Sequence, residues 1–332
     1  MSVAGSMTNQ HHHRRPSGTL FGAPHAASAA GAGVAVLGVP FDMGAHPSRI
    51  GGRGGPGHVR ASSLLVAEAA EDLGVNPIEH LGLVDLGVVD VTPGQVEEAF
   101  DRIAAEVAAI LEAGAIPVTI GGDGAVTLPQ LREAHRRHPD LVLVHFDAHT
   151  DAYDLFEPQR FNNANSFVHA AREGLVDVGR SFHVGIRDTD LAGRSGVIGF
   201  AEELGYRVRA MRAVRERGIA EVLAEIREAV GSRPVYLCWD MDVFDPSVAP
   251  GVVTPAWGGL STAEGLELLR GVASLEVVVF DVNTVSPQHD VAGQTGSLAA
   301  HVILEFLAAV VERELGVRQQ DRDGDGDGAG DR

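Results

Sequence analysis

Short runs made almost wholly of apolar residues recur along this chain: Val34–Val39, Leu81–Leu86, Ile116–Ile120, Leu141–Phe146, Ser181–Ile186, Val235–Trp239 and Val277–Val282. They are rich in Val, Ile and Leu, and most do not alternate with polar residues. That is the pattern of a strand buried on both faces. Between them lie longer stretches with helical periodicity. These are Pro56–Glu71, Thr92–Ala113, Leu128–His138, Phe167–Glu173, Met211–Arg217 running into Ile219–Val230, Thr262–Val272 and Gln294–Leu315. Buried strands alternating with helices predict an α/β fold around a mostly parallel sheet covered on both sides. No short internal repeat is visible, which excludes a solenoid. No linker divides the chain, so one domain is expected over residues 31–317. Residues 1–30, rich in Gly, Ala, Ser, Pro and His, are expected to be disordered or loosely packed. Residues 318–332 read as a disordered acidic tail.

Composition narrows the function classes. With 332 residues, 45% of them hydrophobic, the chain can bury a large core. No stretch of about eighteen or more residues is continuously apolar, so no membrane span is expected. Met1–Ser17 carries a His-Arg cluster and no apolar core of a secretory signal. The single cysteine, Cys238, excludes an internal disulfide, sits in a predicted strand and suits a reducing, cytoplasmic setting. The net charge of −19, with no basic stripe, argues against a nucleic-acid partner. The Asp-Gly tail from Asp321 superficially resembles a calcium loop, but it lacks the bidentate Glu and flanking helices of one.

The candidate chemistry lies at strand ends. Residues 145–154 read His-Phe-Asp-Ala-His-Thr-Asp-Ala-Tyr-Asp, and Cys238–Pro246 reads Cys-Trp-Asp-Met-Asp-Val-Phe-Asp-Pro. Side chains i and i+2 of a strand share a face, so Asp147, His149 and, in a continued strand, Asp151 would converge, as would Asp240 with Asp242. Four carboxylates and one imidazole gathered together repel or protonate unless a cation joins them. A hard divalent metal, or two, resolves that conflict. Strand-end Asp and His that merely cap loops would account for one such cluster, but poorly for two. Loops rich in chemistry also follow Ile116–Ile120 (Gly121-Gly-Asp-Gly124) and Val277–Val282 (Asn283 to Asp290). Ligands of open parallel sheets bind beyond the carboxyl ends of the strands, so one shared site is expected.

From about Val34 to Leu315 the chain resembles the ureohydrolase superfamily of arginase, agmatinase and formimidoylglutamase. The resemblance runs through Leu37-Gly-Val-Pro-Phe-Asp-Met-Gly44, Arg49-x-Gly51, Gly55-Pro56, Gly121-Gly-Asp123, both metal motifs, Pro250-Gly-Val-Val-Thr-Pro255 and Val285-Ser-Pro287. It implies an arginase-like three-layer α/β/α sandwich. It implies Mn2+, as two ions bridged by Asp147 and Asp240, with His149 and Asp242 completing one shell and Asp151 serving the other. Hydrolysis of a C–N bond in a small guanidino, amidino or formimino compound follows, as does a homo-oligomer, trimer or hexamer.

Four departures qualify what the resemblance implies. Gly124 stands where relatives carry a metal-binding histidine, so one ion or two, and another divalent metal, stay open. Asn163 stands where agmatinase-like members carry a proton-shuttling histidine. His169 and His289 are the candidates to replace it, although each also reads as an ordinary surface or packed residue. Thr284 stands where guanidine-hydrolysing relatives carry a Glu, and Trp257 where they usually carry Pro. Together with Asn165 and Ser166, these positions suggest a reshaped substrate pocket. Asp151 is the expected orienting group for the attacking water. A non-catalytic partner or regulatory subunit on the same fold is the alternative, and amide hydrolysis a weaker one.

Overall fold

The computed structural model describes residues 14–15, 18–42, 49–66, 74–92, 94–153, 160–187 and 197–325. Among them, nine strands build one sheet: β1 (Arg14–Arg15), β2 (Val34–Gly38), β3 (Val84–Val89), β4 (Ile116–Ile120), β5 (Val142–Phe146), β6 (Phe182–Ile186), β7 (Arg207–Ala210), β8 (Val235–Asp240) and β9 (Val277–Asn283). In space they run β1-β3-β2-β4-β9-β8-β5-β6-β7. All pair in parallel except β1, which runs antiparallel to β3.

Helices cover both faces: α1 (Gly55–Ser63), α2 (Pro77–His80), α3 (Val96–Glu112), α4 (Thr127–Arg137), α5 (Ser166–Arg172), α6 (Val197–Glu203), α7 (Met211–Arg217), α8 (Ile219–Val230), α9 (Thr262–Ala273) and α10 (Gln294–Asp325). The alternation of a strand sorts its residues between two cores. Val142, Val144 and Phe146 of β5 face one apolar layer with Val59 of α1, Ile226 of α8 and Phe306 of α10. Leu143 faces the other, with Ile103 of α3, Leu131 of α4 and Phe167 of α5. The result is the expected α/β/α sandwich. The segment Gln294–Gly316 is long and apolar enough, by composition, to cross a membrane, yet most of it is buried inside this fold as a core helix.

The structure corrects several expectations. The N-terminal segment is not loose from Leu20 onward: Leu20 and Phe21 are buried, and their backbone N–H groups donate to Asp85 Oδ2 at 2.8 Å and Ser63 Oγ at 2.9 Å. Two large apolar residues anchor a stretch whose small, polar composition hides them. The third strand begins at Val84 rather than Leu81, because Pro77 starts a helical turn that Leu81 closes. The edge strand β7 escapes the apolar pattern, since Arg207 and Arg209 flank its one buried valine. Helix α1 ends at Ser63, and residues 67–71 of the expected helix lie outside the described residues. Helix α10 continues past Leu315 to Asp325, into the expected tail, through Arg, Gln and Asp residues that contain no proline. Residues 326–332 lie outside the described residues.

Candidate metal centre

The strand order places the two acidic motifs side by side. In β5 and β8 the register pairs Phe146 with Trp239, so Asp147 leaves one strand where Asp240 ends its neighbour. On the other side of β8, Asp240 pairs with Asn283 of β9, and β9 pairs with β4. All four chemistry-bearing loops therefore meet at one stretch of the sheet's carboxyl edge, as expected.

The local mechanism differs from strand alternation. Strand β5 stops at Phe146, and Asp147 starts a turn by accepting the His149 backbone N–H at 2.7 Å. Asp240 accepts the Asp242 N–H at 2.9 Å and caps a short 3-10 turn over Met241–Val243. Asx turns, not a continued strand, bend each second residue back toward the first. Asp151 has left-handed backbone, φ 44°, which turns it back toward the cluster, and Thr284 sits at φ 68°. A β-branched residue in that region is strained, by about 1–3 kcal/mol, and such strain clusters at functional sites.

Asp147, His149 and Asp242 offer ligand atoms within 4.8 Å of one another. His149 Nδ1 lies 3.1 Å from Asp147 Oδ1 and 3.2 Å from Asp242 Oδ2. Asp151, Asp240, Asp242 and His149 line a cleft of about 200 Å³ together with Asp123, Gly124, Asn163 and Thr284. Asp151 is 8% exposed, and among the described residues its carboxylate accepts no hydrogen bond. The buried Asp147 Oδ2 is likewise unsatisfied, since His145 Nε2, 2.9 Å away, approaches out of alignment.

The charges are under strain. Burial, then Asp147, raises Asp242 to about 6, and burial with the same neighbours holds Asp151 and Asp240 well above the usual carboxylate range. Burial alone would depress His149, but Asp242 and Asp147 overcome it and hold the imidazole well above its ordinary value. Unsatisfied oxygens and mutually repelling carboxylates, with one imidazole among them, fit a divalent cation with hard oxygen and borderline nitrogen ligands. Asp147, His149 and Asp242 could together hold such an ion. Beside Gly124 the remaining donors are carboxylates alone.

Other expected site residues divide. Asn163 and Thr284 line the cleft; Ser166 touches its wall by donating to the Gly124 carbonyl at 2.9 Å. Asn165 instead closes its own turn, bonding Arg160 O and Asn162 N. His169 lies outside the cleft lining, with Nε2 2.8 Å from Arg160 O. His289 also lies outside it, with Nδ1 2.8 Å from Ser286 Oγ. Trp257 is 77% exposed and does not reach the lining, because Asp245 holds the Gly258 N–H at 2.8 Å and Arg187 holds Ala256 O at 2.8 Å, pinning the loop. Tyr153 lines the cleft and escaped the sequence reading. Its place two residues beyond Asp151 was the available signal. Cys238 is buried, as expected, and burial, then Asp281, pushes its thiol up.

Comparison with known proteins agrees with this geometry. The arginase family pattern matches residues 32–309. Guanidinobutyrase of Pseudomonas aeruginosa is 34% identical over 295 residues, 88% of this chain and 92% of that protein. Agmatinase of Edwardsiella ictaluri is 38% identical over 275 residues, 82% of this chain and 86% of that protein. A solved structure of proclavaminate amidinohydrolase from Streptomyces clavuligerus superposes with a TM-score of 0.84 at 34% identity, covering 91% of this chain and 99% of that one.

Proposed function

The chain belongs to the arginase family, and on that premise we propose that it is a cation-dependent amidinohydrolase that cleaves a C–N bond in a small linear guanidino or amidino compound. One observation carries the reading: the trio Asp147, His149 and Asp242 adjoins the same cleft that the Asp151 carboxylate lines. A divalent ion held there would supply Lewis-acid polarisation and bring the pKa of a water to about 7. Oxygen-rich donors with a single imidazole favour manganese over softer ions. Asp147, His149 and Asp242 would hold one ion; Asp151 and Asp240, sharing Asp147, would hold a second more weakly.

The chain's own groups divide the remaining work. Asp151, with its carboxylate facing the cleft, accepts a hydrogen from the attacking water and orients it. Thr284 commits its hydroxyl to Asp240 and fixes that carboxylate. Being neutral, Thr284 offers no charge to pair a guanidinium, which points away from plain arginine and agmatine. The leaving nitrogen needs a proton, and neither His169 nor His289 lines the cleft. Tyr153 does, and its phenol both donates and accepts hydrogen bonds. We assign the leaving nitrogen to it.

The non-catalytic alternative draws no support from the relatives named above, all of them enzymes by name. The test is dialysis against chelator, Mn2+ titration, and measurement of urea or ammonia release from a panel of guanidino, amidino and formimino compounds. Cation-dependent release from one class is expected. Tight Mn2+ binding with no release from any compound would overturn the catalytic reading.

A further inference from the structure

The guanidinium of Arg187 has no role in the chemistry proposed above, yet it sits at the joint between the cation cluster and the wall of the cleft. Arg187 is the first residue beyond β6 and is half-buried. Among the described residues its five hydrogen bonds all go to main-chain carbonyls. Nη2 donates to Asp242 O at 2.6 Å, Ala256 O at 2.8 Å and Phe244 O at 3.2 Å. Nε donates to Ala256 O at 3.2 Å, and Nη1 to Gly185 O at 3.1 Å.

The surrounding backbone leaves room for this side chain. A Cβ on Gly259 would stand 2.6 Å from Nη2 and 2.5 Å from the Asp245 nitrogen, so only glycine fits there. A Cβ on Gly185 would meet the Asp147 carbonyl oxygen at 2.9 Å, so the end of β6 also lies directly against the first acidic motif. The Arg187 N–H completes that contact by donating to Ala148 O at 2.9 Å. The end of β6 thus reaches both motifs, Asp147–Ala148 through its backbone and Asp242 through one side chain. A planar guanidinium carries five N–H donors in a fixed fork, which suits a ring of carbonyl acceptors. Without it the carbonyls of Asp242, Phe244 and Ala256 lose their donor together.

We infer that Arg187 is a positioning residue: one guanidinium nitrogen ties the turn that carries Asp242 to the loop that walls the cleft, and so fixes the cation cluster and the cleft against each other. Val253 and Thr254 of that loop line the cleft. Arg49 holds the loop at its other end, donating to Val252 O and Val253 O, each at 2.8 Å. Arg187 alone joins it by side chain to the backbone of Asp242 among the described residues. Partners behind a ligand typically alter metal affinity by about 10–100-fold. The inference rests on the reading of Asp242 as a ligand only in its second test.

Hydrogen exchange of the metal-free protein, read by mass spectrometry, tests the tie without any cation. Arg187→Met should speed exchange around Asp242, whose N–H donates to Asp240 Oδ1 at 2.9 Å, and around Gly258, whose N–H donates to Asp245 Oδ2 at 2.8 Å. Exchange in β5 should not change. Arg187→Lys brings three N–H groups toward the meeting point of three carbonyls and should keep both segments near their unmodified rates. Faster exchange in one segment only, in neither, equally in both variants, or throughout the sheet with β5 included overturns the inference. Mn2+ affinity by chelator competition is the second readout. Arg187→Met should weaken binding about tenfold or more, and Arg187→Lys should stay within about threefold of the unmodified protein. Equal affinity in all three proteins overturns the inference. Should Arg187→Met fail to fold, Arg187→Gln, with a shorter reach and two N–H donors, takes its place with the same expectations. Absence of Mn2+ binding in the unmodified protein would instead sink the cation reading, and hydrogen exchange would still decide whether Arg187 joins the two segments.

Discussion

Thr284 donates its hydroxyl hydrogen to Asp240 across the β8–β9 boundary while its own backbone sits at φ 68°. The side chain gains a buried hydrogen bond, and the backbone pays for it in strain. Two substitutions separate these effects. Thr284→Ala and Thr284→Gly both remove the hydroxyl and leave Asp240 short of a donor, which costs about 1–3 kcal/mol. Glycine accepts positive φ and alanine does not. Thr284→Gly should therefore be the more stable of the two by about 1 kcal/mol in denaturant unfolding. Equal stability would mean that the backbone relaxes freely once the hydroxyl is gone.

The protein without cation should lose stability as pH rises. Burial and Asp147 raise Asp242 to about 6 in the folded chain, and the same kind of crowding holds Asp151 and Asp240 well above the usual carboxylate range. An unfolded aspartate releases its proton near pH 4. Between those values the folded state holds more protons, so each step upward in pH favours unfolding. His149 acts in the same direction: its stabilisation is full below about 6.5 and fades as pH climbs through its raised value. Glu225 and Glu305, both lowered to about 2 by their hydrogen-bonded partners, oppose this trend only below about pH 4.5, but His145 and His183, both depressed by burial, oppose it up to about pH 6.5. Melting temperature in chelator should fall from about pH 6.5 to pH 8, above the range in which the buried histidines oppose the trend, and stabilisation by added Mn2+ should grow over that window. A melting temperature in chelator that is flat or rising would contradict the crowded-carboxylate account.

The sheet was legible because its strands are apolar nearly throughout, and the acidic motifs stood out because each ends such a run. Neighbourhood was not legible: nothing in the two motifs says that β5 and β8 lie side by side. Strand alternation gave the right converging residues for an incomplete reason, since Asx turns and a left-handed Asp151 do the gathering. Positive φ at Asp151 and Thr284 carries no glycine to announce it. Trp257 reads as a pocket residue because relatives usually carry Pro there, but Asp245 and Arg187 pin that loop and Trp257 is exposed. Tyr153 carries no metal-ligand chemistry, so only its place two residues beyond Asp151 marks it in the sequence.

Gly124 should make the two halves of the centre unequal. A Cβ there would meet Asp151 Oδ2 at 2.7 Å and the Asn163 carbonyl oxygen at 3.1 Å, so Asp151 already fills the room where an imidazole arm would start. Calorimetric titration with Mn2+ should show one tight equivalent and a second, much weaker one. Gly124→His, at the cost of displacing the flexible end of Asp151, should tighten the second equivalent by about tenfold or more, as a nitrogen donor joins the set. Two equally tight equivalents in the unmodified protein would show that carboxylates alone suffice.

Arg60 and Asp85 hold the N-terminal segment to the sheet, and their loss should be felt across the fold. Asp85 Oδ2 accepts Arg60 Nε at 2.8 Å and the Leu20 N–H at 2.8 Å; Oδ1 accepts Arg60 Nη2 at 2.9 Å and the Gly87 N–H at 2.8 Å. Both side chains are almost fully buried. Arg60→Met would strand a carboxylate in the core, and breaking such a pair costs about 3–5 kcal/mol. Arg60→Met with Asp85→Leu removes both charges and should recover much of that loss, while freeing the Leu20 and Gly87 N–H groups of their acceptor. Proteolysis near Leu20 should then rise in the double variant, whereas global stability should fall steeply only in the single one. If the double variant were the less stable, the two charges would be contributing a net attraction greater than their cost of burial.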